Sequence, residues 1–159
     1  MNSLVLQITG SFKLRGASNK ILKLKELAKK NGVVAYSSGN HAQAVAYASQ
    51  QNNINAKIIM PTTAPKIKIN NTKKYGAEII LYNPHTELRE SIAEILSDKE
   101  KRKIIRPYDD HDIIAGQGTA AKEIVADLEN LKIIPDLYFC CCGGGGLIAG
   151  TSTYLKYAF

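Results

Sequence analysis

The stretch VVAYSSGNHAQAVAYA, residues 33–48, decides the fold. Val33 to Tyr36 is a short apolar run without polar alternation, the composition of a strand buried on both faces. Ser37, Ser38, Gly39 and Asn40 break that run with turn-forming residues, and Asn40 is placed to cap the alanine-rich helix that follows. A buried strand, a short loop and a helix are half of a βαβ unit, in which the helix carries the chain back so that the next strand pairs in parallel.

The same cycle repeats outward. KIIM (57–60) predicts a strand closed by Pro61, and Pro65 pre-sets the first turn of a helix to about Tyr75, before Gly76. EIILY (78–82) is the next strand; Thr86 is expected to cap a helix carrying Leu88, Ile92, Ile95 and Leu96, and KIIR (103–106) is a strand ended by Pro107. After the polar loop YDDHD (108–112), helical spacing runs from about Asp112 to Leu131. LYFCC (137–141) reads as a further buried strand, and GGGG (143–146) opens a last helix through Tyr157. Upstream, Ser11 is expected to cap one helix over about 12–31, with Phe12, Ile21, Leu24, Leu27 and Ala28 on its apolar side and Gly32 at its left-handed stop. The class is α/β, with parallel strands covered on both faces and ligands bound at the strands' carboxyl ends. The loops 37–40 and 143–146 both fall at such ends, and no internal repeat is present.

Composition narrows the function. At 159 residues, 45% hydrophobic and 22% charged, the chain is of ordinary globular make-up, one domain or two small lobes burying roughly two thirds of the unfolded surface. MNSLVLQITG lacks a basic leader region, and no stretch approaches the ~18 apolar residues of a membrane span, so neither export nor membrane insertion is expected. The net charge of +7 invites a nucleic-acid partner, but Lys20, Lys23, Lys25, Lys29 and Lys30 fall on the solvent side of one amphipathic helix without aromatic platforms, so none is expected. Cys140, Cys141 and Cys142 are consecutive and so point alternately to opposite faces of a strand, which excludes convergence on one metal ion. Thiols in a buried strand suit a reducing compartment, the cytoplasm. His111, in Asp109-Asp110-His111-Asp112, is read as part of a solvated loop, and no role is assigned to His85.

Three short segments carry chemistry. Gly143, Gly144, Gly145 and Gly146, between a strand and a helix, offer backbone N–H groups that can wrap a phosphate at a positive helix end; Gly144, Gly146 and Ala149 also satisfy a dinucleotide fingerprint, but an acidic partner about 20 residues later is missing. SSGNH (37–41) offers Ser37, Ser38, Asn40 and His41 at a helix start, a receptacle for a carboxylate; a simple capped turn is the plain alternative. Lys13, flanked by Phe12 and Leu14 in a helix's first turn, should have a lowered pKa and more free amine, the state a Schiff-base lysine needs.

TGSFKLRGA (9–17), SSGNHAQA (37–44), MPTTAP (60–65), YGAEIILY (75–82), AGQGTAAKE (115–123) and CGGGGLIAG (142–150), in this order and at these intervals, resemble the serine racemase and threonine dehydratase family of fold-type II pyridoxal-phosphate enzymes. The resemblance covers about Leu6 to Thr151 and implies the three-layer parallel-sheet fold of the tryptophan synthase β type. It makes Lys13 the cofactor-bearing lysine, Phe12 its neighbour against the pyridine ring, and Gly143, Gly144, Gly145 and Gly146 the holders of the phosphate. Asn40 would hydrogen-bond the ring's phenolic oxygen, while Ser37, Ser38, Asn40 and His41 surround the carboxylate of a serine or threonine substrate. Arg15, Gln117 and Thr119 are structural in this reading. Dehydratases similar to this chain tend to carry Ser-Ala-Gly-Asn where this chain has Ser37-Ser38-Gly39-Asn40, the racemase form, so Ser38 is expected to face Lys13 across the substrate as a second acid/base.

By the same resemblance, residues 33–107 form a small α/β domain, and 1–32 with 108–159 form part of a larger cofactor-binding domain. Family members are roughly twice as long, and the part unmatched here would hold the residue facing the pyridine nitrogen, the other wall of the cofactor slot and the ligands of a divalent cation. The expectation is therefore a racemase or ammonia-lyase by descent, a homo-oligomer if folded, with an inactive fragment that binds the cofactor weakly as the alternative. A nucleotide-binding module is the reading from a different class.

Overall fold

The computed structural model describes residues 7–159. Its centre is a parallel sheet of four strands, β1 (Val33–Tyr36), β2 (Ala56–Pro61), β3 (Glu78–Tyr82) and β4 (Lys103–Ile104), in the order β3-β2-β1-β4. β1 pairs with β2 from Val33↔Ala56 to Tyr36↔Ile59, and β2 with β3 from Lys57↔Glu78 to Pro61↔Tyr82. Seven helices complete the described chain: α1 (Lys13–Lys23), α2 (Lys25–Asn31), α3 (Asn40–Gln51), α4 (Lys66–Lys74), α5 (Arg89–Glu100), α6 (His111–Leu131) and α7 (Gly146–Ala158).

Period-two alternation explains the layering. Val33 and Ala35 of β1, with Ile58 and Met60 of β2, face Ala17 and Ile21 of α1 and Ala42, Val45 and Ala46 of α3. Their neighbours Val34, Tyr36 and Ile59 face the other way, onto Ala93, Ile92 and Leu96 of α5. Every residue of β1 is buried because both its faces are covered, which is why its sequence is a continuous apolar run. The chain steps outward from β1 to β3, then returns over the opposite face to place β4 beside β1. The strand order therefore reverses between β1 and β4, and in such sheets the crevice beyond the carboxyl ends at that point is where ligands sit.

Several expected boundaries shift. The helix over 12–31 is two helices broken at Leu24, whose φ of −94° and ψ of 3° leave the helical register. Ser11 does not cap α1; it is buried with its hydroxyl unpartnered, and Phe12 holds the cap position in helical conformation. Asn40 is the first helical residue, not the cap: Gly39 holds the cap position with φ −164° and ψ −111°, and the Asn40 side chain turns to Lys68. Pro61 belongs to β2, tolerable because its missing N–H falls at the strand's end. Thr86 sits in a turn built on Asn83, and α5 starts only at Arg89, leaving Leu88 exposed.

The largest correction concerns 137–141, which form no strand, with Leu137 75% and Phe139 87% exposed. A parallel strand draws its hydrogen bonds from neighbours, and among the described residues no strand pairs with this segment. Cys141 and Cys142 are accordingly exposed and Cys140 half-buried, not enclosed in a sheet. Lys20 is also not a solvent-facing charge: its ammonium pairs with Asp110 at 2.8 Å and Asp112 at 3.0 Å, and Lys23 meets Asp112 at 2.6 Å. YDDHD is thus partly committed, since Asp110 caps α6 by accepting from the Asp112 and Ile113 amides. Among the described residues no helix is long and apolar enough to cross a membrane, and no cluster of three His, Cys, Asp or Glu could hold a metal ion.

Candidate active site

A cleft of about 320 Å³ opens at the switch point, lined by Lys13, residues 36–41, Arg89, Pro107, Tyr108 and Gly144. Each wall comes from a different element. β1 delivers Tyr36, the turn after it delivers Ser37 and Ser38, and α3 begins at Asn40 and His41. The chain beyond β4 delivers Pro107 and Tyr108, α1 delivers Lys13, and the loop before α7 delivers Gly144.

Lys13 reaches the cleft because α1 packs across α6 with almost nothing between the backbones. A Cβ on Gly116 would lie 2.6 Å from the Gly16 Cα and 2.7 Å from the Arg15 carbonyl oxygen, so only glycine lets the helices approach this closely. Gln117 then accepts a hydrogen bond from the Gly16 amide at 3.2 Å, and Arg15 holds Glu123 with both terminal nitrogens at 2.6 and 2.7 Å and Thr119 at 3.0 Å. The Lys13 ammonium donates to the Pro107 carbonyl and lies 5.3 Å from the centre of the Phe12 ring. Burial lowers its pKa, which increases the share of free amine.

His41 is 2% exposed and donates from Nε2 to the Ile105 carbonyl at 3.0 Å, leaving Nδ1 without a partner among the described residues. Burial, assisted by the Lys13 charge, takes its pKa down to about 4, so the imidazole is neutral near pH 7. The Ser37 hydroxyl accepts from the Gly39 amide at 3.2 Å, tightening the turn. Lys68 donates to the Asn40 side-chain oxygen at 3.0 Å, which leaves the Asn40 NH₂ to donate elsewhere.

The glycine loop is shaped by two requirements. Gly145 adopts φ 82°, ψ −20°, a left-handed conformation that disfavours a Cβ, as it caps α7. Gly144 abuts the Tyr108 ring, where a Cβ would overlap the aromatic carbons. Of the glycines, Gly144 lines the cleft, with Gly143, Gly145 and Gly146 adjoining it in the chain; the first amides of α7 have no intrahelical partner and suit an anion. The structure therefore brings Lys13, Ser37, Ser38, Asn40, His41 and Gly144 to one cleft, with Phe12 beside Lys13. Tyr36, Arg89, Pro107 and Tyr108 were missed. The switch-point rule could have found Pro107 and Tyr108 from the strand KIIR; nothing in the local sequence marks Arg89, which enters from the far side of the sheet.

The family profile described as pyridoxal-phosphate dependent enzyme matches residues 4–159. A serine racemase of Schizosaccharomyces pombe is 46% identical over 146 residues, 92% of this chain and 44% of the relative. An L-threo-3-hydroxyaspartate ammonia-lyase of Saccharomyces cerevisiae is likewise 46% identical over 146 residues, with the same coverages. The solved structure of maize serine racemase superposes with a TM-score of 0.90 at 38% identity, covering 98% of this chain and 46% of that one. The chain thus spans under half the length of these relatives.

Proposed function

Because the chain belongs to the pyridoxal-phosphate dependent enzyme family, we propose that it supplies one wall of the active site of an enzyme that racemises serine and eliminates the β-hydroxyl of serine or threonine with release of ammonia. The observation that carries this reading is that Lys13 and Gly144, remote in sequence, line one cleft with Ser37, Ser38, Asn40 and His41. The residues fit the cofactor. A half-buried amine of lowered pKa suits an aldehyde, and the amides at the start of α7 suit a phosphate.

When bound, the cofactor supplies an electron sink for the charge left as the Cα–H bond breaks. Lys13 would hold the cofactor at its aldehyde carbon and, when released from it as a free amine, would carry the α-proton on one face, with Ser38 as the acid/base on the other. Ser37, Ser38 and the Asn40 amide would hold the substrate carboxylate, oriented by the Lys68 bond to Asn40, while His41 stays neutral and keeps a net charge out of the pocket. Phe12 would bound the ring. Arg89 in the same cleft favours a second substrate class, 3-hydroxy amino acids bearing a β-carboxylate, which a guanidinium can pair.

In this reading residues 33–107 form a small domain, 1–32 and 108–159 belong to a larger one, and the protein works in the cytoplasm as a homo-oligomer. The 159 residues by themselves are expected to bind pyridoxal phosphate weakly and to turn over little L-serine or L-threonine, because one wall alone does not preorganise the reacting groups. Borohydride reduction after exposure to pyridoxal phosphate tests the site: peptide mapping should find the adduct on Lys13. Labelling spread over the surface lysines, unchanged in Lys13→Ala, would overturn it.

A further inference from the structure

Pro107 and Tyr108 form the corner that leaves β4 at the switch point, and this corner touches both chemical ends of the site. On one side the Pro107 carbonyl receives the Lys13 ammonium, whose nitrogen lies 5.8 Å from the centre of the Tyr108 ring. On the other side the same ring lies on Gly144, where a Cβ would overlap its Cγ, Cδ1 and Cε1 atoms. The corner's backbone continues the contact, since a Cβ on Gly146 would stand 3.1 Å from the Tyr108 Cβ and 3.2 Å from its Cα and carbonyl oxygen.

Four consecutive glycines form a loop of maximal backbone freedom, which by itself holds no fixed distance to anything. An aromatic ring with two rotatable bonds is a stiff object. We propose that Tyr108 is a positioning residue: its ring is the spacer that sets the separation between the Lys13 amine and the 143–146 loop, so that one small molecule can engage the amine through an aldehyde and the loop through a phosphate simultaneously. The inference rests on the reading of Lys13 and the glycine loop as a pyridoxal-phosphate site. Its physical basis is that two-point capture depends on the spacing of the two points, and is lost when that spacing fluctuates.

The test separates the two points by chemistry. Lys13 is labelled with pyridoxal 5'-phosphate or with pyridoxal, which has the aldehyde without the phosphate; in each case the amine adds to the aldehyde, water leaves, and borohydride reduces the carbon–nitrogen double bond to a stable adduct quantified by peptide mass. The protein should label faster at Lys13 with the phosphorylated reagent. Tyr108→Ala should slow labelling by pyridoxal phosphate roughly tenfold while changing pyridoxal labelling less than about twofold, and Tyr108→Phe should restore both, the scale and selectivity expected of a lost preorganised geometry. Equal loss with both reagents, accompanied by a lowered melting temperature, would mean a merely structural ring and overturn the proposal, as would an unchanged rate in Tyr108→Ala. If the unsubstituted protein shows no preference for the phosphorylated reagent at Lys13, the cofactor reading itself falls, and the spacer role with it.

Discussion

The sheet formed within residues 33–107 and the segment 132–145 between α6 and α7 both carry apolar runs and meet opposite fates. In the sheet, every strand finds its hydrogen-bonding neighbour within the described chain, and both faces of β1 are sealed. Between the helices, Ile133, Ile134, Leu137 and Phe139 are as apolar as Val33 or Ile58, yet all are exposed, and no ladder forms. The difference teaches that hydrophobicity selects what can be a strand, while the presence of a partner decides whether it becomes one.

That contrast can be broken by measuring energies on its two sides. The largest effect is expected in the sheet: Ile58→Ala, at a fully buried position, should lower the unfolding free energy by about 2–5 kcal/mol in urea titrations, and a loss below about 1 kcal/mol would mean that the sheet is not the stable core. Next comes Gly116→Ala, whose Cβ would meet the Gly16 Cα at 2.6 Å and force α1 from α6. Overpacking of this kind costs about 1–3 kcal/mol, and because α1 carries Lys13, trapped labelling of Lys13 should fall with it.

A pH titration sharpens the same comparison. The His41 pKa is about 4 in the folded chain against 6.5 ordinarily, so the unfolded chain binds the extra proton between those values. Stability from this group is present above about pH 6.5 and is lost as the pH falls towards 4. His41→Gln should flatten that part of the stability–pH curve; an unchanged slope would mean that the imidazole is not buried neutral. Glu100, held down to about 2 by hydrogen bonds from Lys57 and Arg102, follows the same sign in a lower window: its contribution is present above its ordinary pKa of 4.5 and disappears as the pH falls to about 2. Glu100→Gln should remove that lower step. The smallest effect is expected at Phe139→Ser, within about 0.5 kcal/mol of the parent by urea titration because the side chain is already 87% exposed, while the solubility limit rises.

Much of this architecture was legible. VVAY and EIILY gave strand limits that the structure reproduces, since a parallel strand covered on both faces writes itself as an apolar run bounded by turn residues. Caps were read less well. Ser11, Asn40 and Thr86 all have side chains suited to capping, but Ser11 is buried, Asn40 is engaged by Lys68 and Thr86 lies in an earlier turn, whereas Asp110, read as part of a polar loop, is the residue that caps α6. Local chemistry offers a cap at many places, and packing chooses among them.

The sequence alone determined the alternation of strands and helices, the parallel pairing that follows from it, and the chemical types gathered in TGSFK, SSGNH and GGGG, because these depend on periodicity and side-chain chemistry within a few residues. Only the tertiary structure decided that α1 breaks at Leu24, that Gly16 and Gly116 let α1 lie against α6, that 137–141 stays without a ladder, and that the Tyr108 ring meets both Lys13 and Gly144. Each of these is a distance between segments far apart in the chain. Such distances are set by how whole layers pack, and no window of neighbouring residues contains them.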